Sequence, residues 1–140
     1  MTQVDFYILN KTQPEQFSCL LVEKILKQGH KVHILTSDNQ QSERMDNLMW
    51  TYNDQSFLPH VLMDDPLQAE TPINISHNPE TALISDVLVN LTPKVPLFYK
   101  QFERVAELVS SNPQQRQAAR GRYREYQQQG CTVVSHEINR

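Results

Sequence analysis

Apolar residues crowd the start of the chain in VDFYIL, Val4 to Leu9, where β-branched and aromatic types predict a first strand. Beyond Pro14 the spacing changes. Phe17, Leu20, Leu21 and Ile25 recur at i, i+3, i+4 and i+8, which is one face of a helix. Gly29, just past Lys27 and Gln28, supplies its stop. KVHIL then predicts a second strand, TSDNQQ offers N-cap residues, and ERMDNLMWTY predicts a second helix. On a helical wheel Met45, Leu48, Met49 and Tyr52 turn inward, while Trp50 falls about 140° from Met45. An exposed tryptophan points to an interface; packing under the following loop is the bland alternative.

The middle of the chain is punctuated by Pro59, Pro66, Pro72 and Pro79, between which INIS and DVLVNL predict strands. Pro93 and Pro96 lead into Phe98, Phe102, Val105 and Val109, spaced i, i+4, i+7 and i+11, which predicts a third helix. Asn112-Pro113 is an N-cap followed by proline at the first helical position. A fourth helix is therefore expected to about Gln129, closed by Gly130, with CTVVSHEI as a last strand. Strand–helix alternation of this kind predicts an α/β fold. The expected architecture is three-layered and Rossmann-like: a mostly parallel sheet, helices on both faces, and one domain over residues 1–140.

Composition excludes several classes. The 140 residues are 39% hydrophobic and 21% charged, the balance of a folded, water-soluble chain. No apolar run is long enough to cross a bilayer, and MTQVDFYILN lacks the basic start of a signal peptide, so the cytoplasm is the expected compartment. Cys19 and Cys131 form no CxxC motif, and the five histidines show no metal-ligand spacing; no metal or cofactor is expected. A dinucleotide fingerprint or Walker loop needs glycines between the first strand and first helix. The turn NKTQPEQ has none, which speaks against a phosphate-binding loop and a small nucleotide-binding enzyme. No nucleophile elbow or other catalytic motif stands out either.

Charge is uneven. Net charge is -3, yet no Lys or Arg lies between Arg44 and Lys94, where Asp46, Asp54, Asp64, Asp65, Glu70, Glu80 and Asp86 sum to -7 and leave the remainder at +4. Four arginines and two tyrosines concentrate in RQAARGRYREY, Arg116 to Tyr126. On a helix Arg116, Arg120, Tyr123 and Arg124 share one face, while Arg122 and Glu125 point elsewhere. Three guanidinium groups beside a phenol suit a carboxylate or phosphate joined to an apolar group. Duplex DNA is a poor fit for so short a basic face on an acidic protein. Direct single-strand binding, with Tyr123 and Tyr126 stacking bases, is the rival reading.

FYIL, GHKVHIL, LMWTYNDQSFLPH, DVLVNL and ARGRYREYQQQG follow one another in an order and spacing that cover nearly the whole chain. Through them the chain resembles the chi subunits of bacterial DNA polymerase III holoenzyme, accessory subunits of the clamp loader. The resemblance implies a nucleotide-domain-like fold without a nucleotide site, no catalysis, and no cofactor. It implies two partners: the psi subunit, forming a heterodimer, and the acidic, hydrophobic C-terminal tail of single-stranded DNA-binding protein. It also implies that DNA itself is contacted mainly indirectly. Trp50 and Phe57 match the psi-facing positions, and Arg116, Arg120, Tyr123 and Arg124 match the tail-facing ones. Two of the four are lysine in the family's motif, and Gly121 departs from it too.

Overall fold

The computed structural model describes residues 2–51, 60–62, 72–77 and 86–139. Seven strands form one sheet: β1 (Gln3–Leu9), β2 (Val32–Leu35), β3 (His60–Leu62), β4 (Ile73–Ser76), β5 (Val87–Asn90), β6 (Arg104–Val109) and β7 (Thr132–Ile138). Their spatial order is β3-β4-β2-β5-β6-β1-β7, and every pairing is parallel. Parallel strands require crossovers, and three helices supply them in part: α1 (Pro14–Lys27), α2 (Asn39–Thr51) and α3 (Pro113–Gln128).

Local sequence sets the helix ends. Pro14 and Pro113 occupy first-turn positions, where a missing N–H costs nothing. The Asn112 side chain accepts hydrogen bonds from the Gln114 and Gln115 amides at 2.9 and 3.2 Å, capping α3. Asp38 does the same for the Gln41 amide at 2.8 Å. Gly29 and Gly130 follow α1 and α3 with φ of 85° and 87°, the left-handed conformation that reverses the chain at low cost.

Two apolar layers sandwich the sheet. On one face α1 and α2 bury Phe17, Val22, Ile25, Met45 and Met49 against Ile34, Ile75, Val89 and Leu108. On the other, α3 buries Ala119 and Tyr126 against Val4, Phe6, Leu88 and Val105. The expected three-layer α/β fold is therefore present, and its sheet is parallel throughout the described strands.

The helix predicted through Phe98, Phe102, Val105 and Val109 is not formed. A 3-10 turn at Tyr99–Gln101 is followed by β6, whose last five residues are all buried. Val105 and Val109 are four apart, a spacing that shares a face in a strand as well as in a helix. β6 lies between β5 and β1, covered on both faces, so an unbroken apolar run wins there over helical periodicity. β3 was also hidden from the periodicity, being only three residues long beside Pro59.

Candidate functional site

α3 lies across the sheet with three kinds of arginine. Arg122 faces inward. Only 8% exposed, it donates from Nε to Glu107 Oε1 at 3.0 Å and from Nη1 to the Pro93 carbonyl at 3.1 Å. Glu107, fully buried on β6, accepts at Oε2 from the Tyr126 hydroxyl at 2.7 Å and the Asn90 amide at 2.8 Å. Burial pushes the Glu107 carboxyl above the usual range; the Arg122 charge and the three donors pull against that. Burial, followed by the Glu107 charge, pushes the Tyr126 phenol up as well. The wheel had turned Arg122 away from the basic face without showing where it goes. The available signal was a lone glutamate inside the apolar run RVAELV, which calls for a cation from the covering helix.

Arg116 is half-buried. Its Nε donates to the Ser110 carbonyl at 3.2 Å, and its Nη2 to the Leu9 carbonyl at 3.3 Å and Asn10 Oδ1 at 2.9 Å. This guanidinium ties the start of α3 to the end of β1 and leaves its Nη1 group without a described acceptor. Arg120 and Arg124 are exposed, and neither makes an ion pair or hydrogen bond among the described residues. Tyr123 is half-buried, its ring 5.2 Å from Phe6 on β1. The predicted face therefore forms, with a division of labour: Arg116 braces, Arg120 and Arg124 are available, and Tyr123 floors the face with apolar surface.

Tyr126 is fully buried. It cannot pair with Tyr123 as a platform for stacked bases, which corrects the single-strand-binding geometry considered above. Gly121 is exposed, and an added Cβ there would meet nothing within 4 Å. The glycine inside the arginine segment thus marks no close approach of backbone.

At the opposite face of the sheet, Trp50 near the end of α2 is 58% exposed, while Met45 and Met49 are buried and Leu48 is half-buried, as the wheel predicts. Tyr52 and Phe57 lie outside the described residues. Since α2 and α3 cover opposite faces, the Trp50 surface and the arginine face are separated by the sheet.

A groove of about 1240 Å³ opens at the carboxyl ends of β1, β5 and β6, the place where open α/β sheets bind ligands. Its walls include Glu15 of α1 and Arg44 of α2, paired at 3.2 Å, and Arg122 of α3. The turn that enters it, Asn10 to Gln13, has no glycine to bring backbone amides against a phosphate. No group of three or more His, Cys, Asp or Glu residues that could hold a metal occurs among the described residues. Nor is any described helix long and apolar enough to cross a membrane.

The family model described as DNA polymerase III chi subunit, HolC, matches residues 1–134. The chain belongs to the DNA polymerase III chi subunit family. It is 36% identical to the DNA polymerase III subunit chi of Pseudomonas aeruginosa, over all of this chain and 99% of that one. It is 29% identical to the subunit chi of Haemophilus influenzae, covering 95% of each chain. Identity to the Escherichia coli subunit is 26%, over 95% of this chain and 96% of that one. Among solved structures, T4 UvsW superposes with a TM-score of 0.71 at 9% identity; the match covers 99% of this chain and 42% of that one, and shows shared fold alone. Membership makes this chi-family chain an accessory subunit of a DNA polymerase used in replication, with a protein partner in that machinery. The resemblance read from the residues is thereby borne out.

Proposed function

We propose that this chi-family chain is a non-catalytic adaptor of the clamp-loader complex, working in the cytoplasm. It holds the C-terminal tail of single-stranded DNA-binding protein on α3 and the psi subunit on the face of α2. The observation that carries the tail site is the pair of exposed guanidiniums of Arg120 and Arg124, without partners among the described residues, beside the half-buried ring of Tyr123. Arginines pair with carboxylates in two-pronged fashion, and a ring partly sunk against Phe6 offers apolar surface to an aromatic end group. An acidic peptide also resolves the charge conflict. A chain of net charge -3 is poorly suited to a long polyanion, but a short acidic tail needs only this local positive face.

For the second partner, the support is the 58% exposure of Trp50 on a helix whose other large apolar residues, Met45, Leu48 and Met49, pack inward, with Phe57 assigned to the same site by its match to the family. Because the two surfaces lie on opposite sheet faces, both partners fit at once, which is the geometry a bridge needs. Titration of a labelled acidic tail peptide tests the first site. Arg120→Ala and Arg124→Ala each weaken binding about tenfold, and raising salt weakens the native complex further. Equal affinity in Arg120→Ala and the native chain would sink the tail site. Co-purification with psi tests the second: Trp50→Ala is expected to lose psi and keep the tail peptide. A nucleotide enzyme predicts instead a rise in melting temperature with nucleotide.

A further inference from the structure

The geometry points to β7 as a strand-addition site: we propose that an acidic peptide ending in an aromatic residue binds by pairing its backbone with the open edge of β7. The inference rests on the tail-site reading above and adds how the peptide backbone is held.

β7 is the last strand of the sheet, and no described strand pairs with its outer side. Which of its backbone groups face outward follows from one hydrogen bond. The Asn10 amide donates to the Ile138 carbonyl at 3.1 Å, so Ile138 faces β1, and Leu9 pairs with Ile138 in register. Backbone direction alternates along a strand. Thr132, Val134, His136 and Ile138 therefore face β1, and Val133, Ser135 and Glu137 present their N–H and C=O groups outward. Among the described residues no hydrogen bond reaches those outward backbone groups.

The same three residues project their side chains to the α3 side. They stand in register with Val4, Phe6 and Ile8, which pack in the layer beneath α3, and Val133 packs there too. The flank of α3 nearest this edge is the arginine face. Taking Ala119 and Tyr126 as the inward direction, about 100° per residue places Arg122 toward β5 and Tyr123 toward β1 and β7. Arg116 and Arg120 continue on that flank, with Arg124 above them. A row of amides thus runs beside the guanidiniums of Arg120 and Arg124, both rows without partners among the described residues, with Tyr123 and Val133 as an apolar floor between.

An exposed seven-residue edge is an association hazard unless blunted or used. β7 contains no proline or lysine, and Val134 is 38% exposed on its other side. Peptides that add a strand gain affinity from main-chain hydrogen bonds and specificity from alternate side chains. Charge selects the occupant here: the arginine flank favours an acidic strand, and a second copy of this chain would bring another arginine flank against it.

Hydrogen exchange on the full chain, with and without the peptide Asp-Asp-Asp-Leu-Leu-Phe carrying a free carboxylate, reads the pairing directly. Saturating peptide is expected to slow exchange of at least two of the Val133, Ser135 and Glu137 amides about tenfold or more. A second measurement uses Ser135→Pro, which removes an outward N–H at an edge where proline is tolerated, against Ser135→Ala as the side-chain control. Ser135→Pro weakens the peptide about fivefold or more; Ser135→Ala leaves it unchanged. If Arg120→Ala weakens binding but the three amides stay unprotected, strand addition is overturned and the tail site stands. If the amides are protected and Arg120→Ala binds normally, strand addition stands and the arginine site falls. Failure of both overturns both, and protection without peptide that grows with protein concentration means that a second copy occupies the edge, which also overturns the proposal.

Discussion

Replacing Glu107 by glutamine tests what holds α3, and with it the arginine face, on the sheet. The substitution keeps shape and removes one charge. Arg122, 8% exposed, then keeps a buried positive charge opposite a neutral amide that must still receive donors from Tyr126 and Asn90. Breaking a buried pair by neutralising one member costs about 3–5 kcal/mol, because the remaining charge is uncompensated. Removing both charges is another matter. The Glu107 carboxyl is shifted upward by burial, so its surroundings do not fully repay the loss of water. Glu107→Gln with Arg122→Met is therefore expected to recover most of the loss and lie within about 2 kcal/mol of the native chain. Urea unfolding of the four chains of this double-mutant cycle gives the coupling energy, which is expected to exceed about 2 kcal/mol. A Glu107→Gln loss under about 1 kcal/mol, or additive single effects, refutes the argument that the pair is desolvated and mutually dependent.

Three further outcomes follow from burial and exposure elsewhere in the fold. His33 is fully buried, neither ring nitrogen has a hydrogen-bond partner among the described residues, and burial lowers its pKa from 6.5 to about 4. The unfolded chain takes up this proton first, so stability falls as pH drops from 6.5 toward 4, by up to about 3 kcal/mol. His33→Leu flattens that part of a stability–pH curve; an unchanged curve would remove His33 as the cause. Gly121→Ala stabilises α3 by about 0.5–1 kcal/mol, since the added methyl meets nothing within 4 Å, and it leaves acidic-peptide affinity unchanged; thermal unfolding and the peptide titration check the two halves. Cys19 is buried and its thiol is pushed up to about 12 by burial, whereas Cys131 is partly exposed. Iodoacetamide at pH 8 therefore labels Cys131 first in the native chain, and mass spectrometry that finds Cys19 labelled first contradicts the packing of α1.

Where local pattern and tertiary burial agree, the sequence was legible. α1 and α3 carry proline at the start, glycine just past the end, and an apolar stripe between, and both form where expected. β7 forms where CTVVSHEI predicts it, at the edge of the sheet, with none of its residues fully buried. The misread segment is the one where two periodicities coincide. Val105 and Val109 satisfy a helix and a strand alike, and the choice was made by β1 and β5, distant in sequence, which supply ladder partners on both sides of β6. Burial of polar groups was harder to read for the same reason. Arg122 and Tyr126 look like members of one basic, aromatic segment, yet Glu107 on another element draws both inside.

That sorting changes the chemistry of the segment. Four arginines in a row of eleven residues suggest a broad cationic surface for a polyanion. Folding removes Arg122 to a buried pair and commits much of Arg116 to the end of β1, leaving Arg120 and Arg124 without partners among the described residues. Two guanidiniums and a half-buried ring are too few for non-specific DNA binding, whose strength grows with the number of phosphates neutralised. Under the proposed reading they serve a short acidic peptide whose backbone is held by something else. The outward amides of β7 are placed to do that, since Val133 and Ser135 lie in register with Val4 and Phe6, and Phe6 carries the ring of Tyr123. The charge on α3 would then choose the peptide, and the sheet edge would set its direction and register.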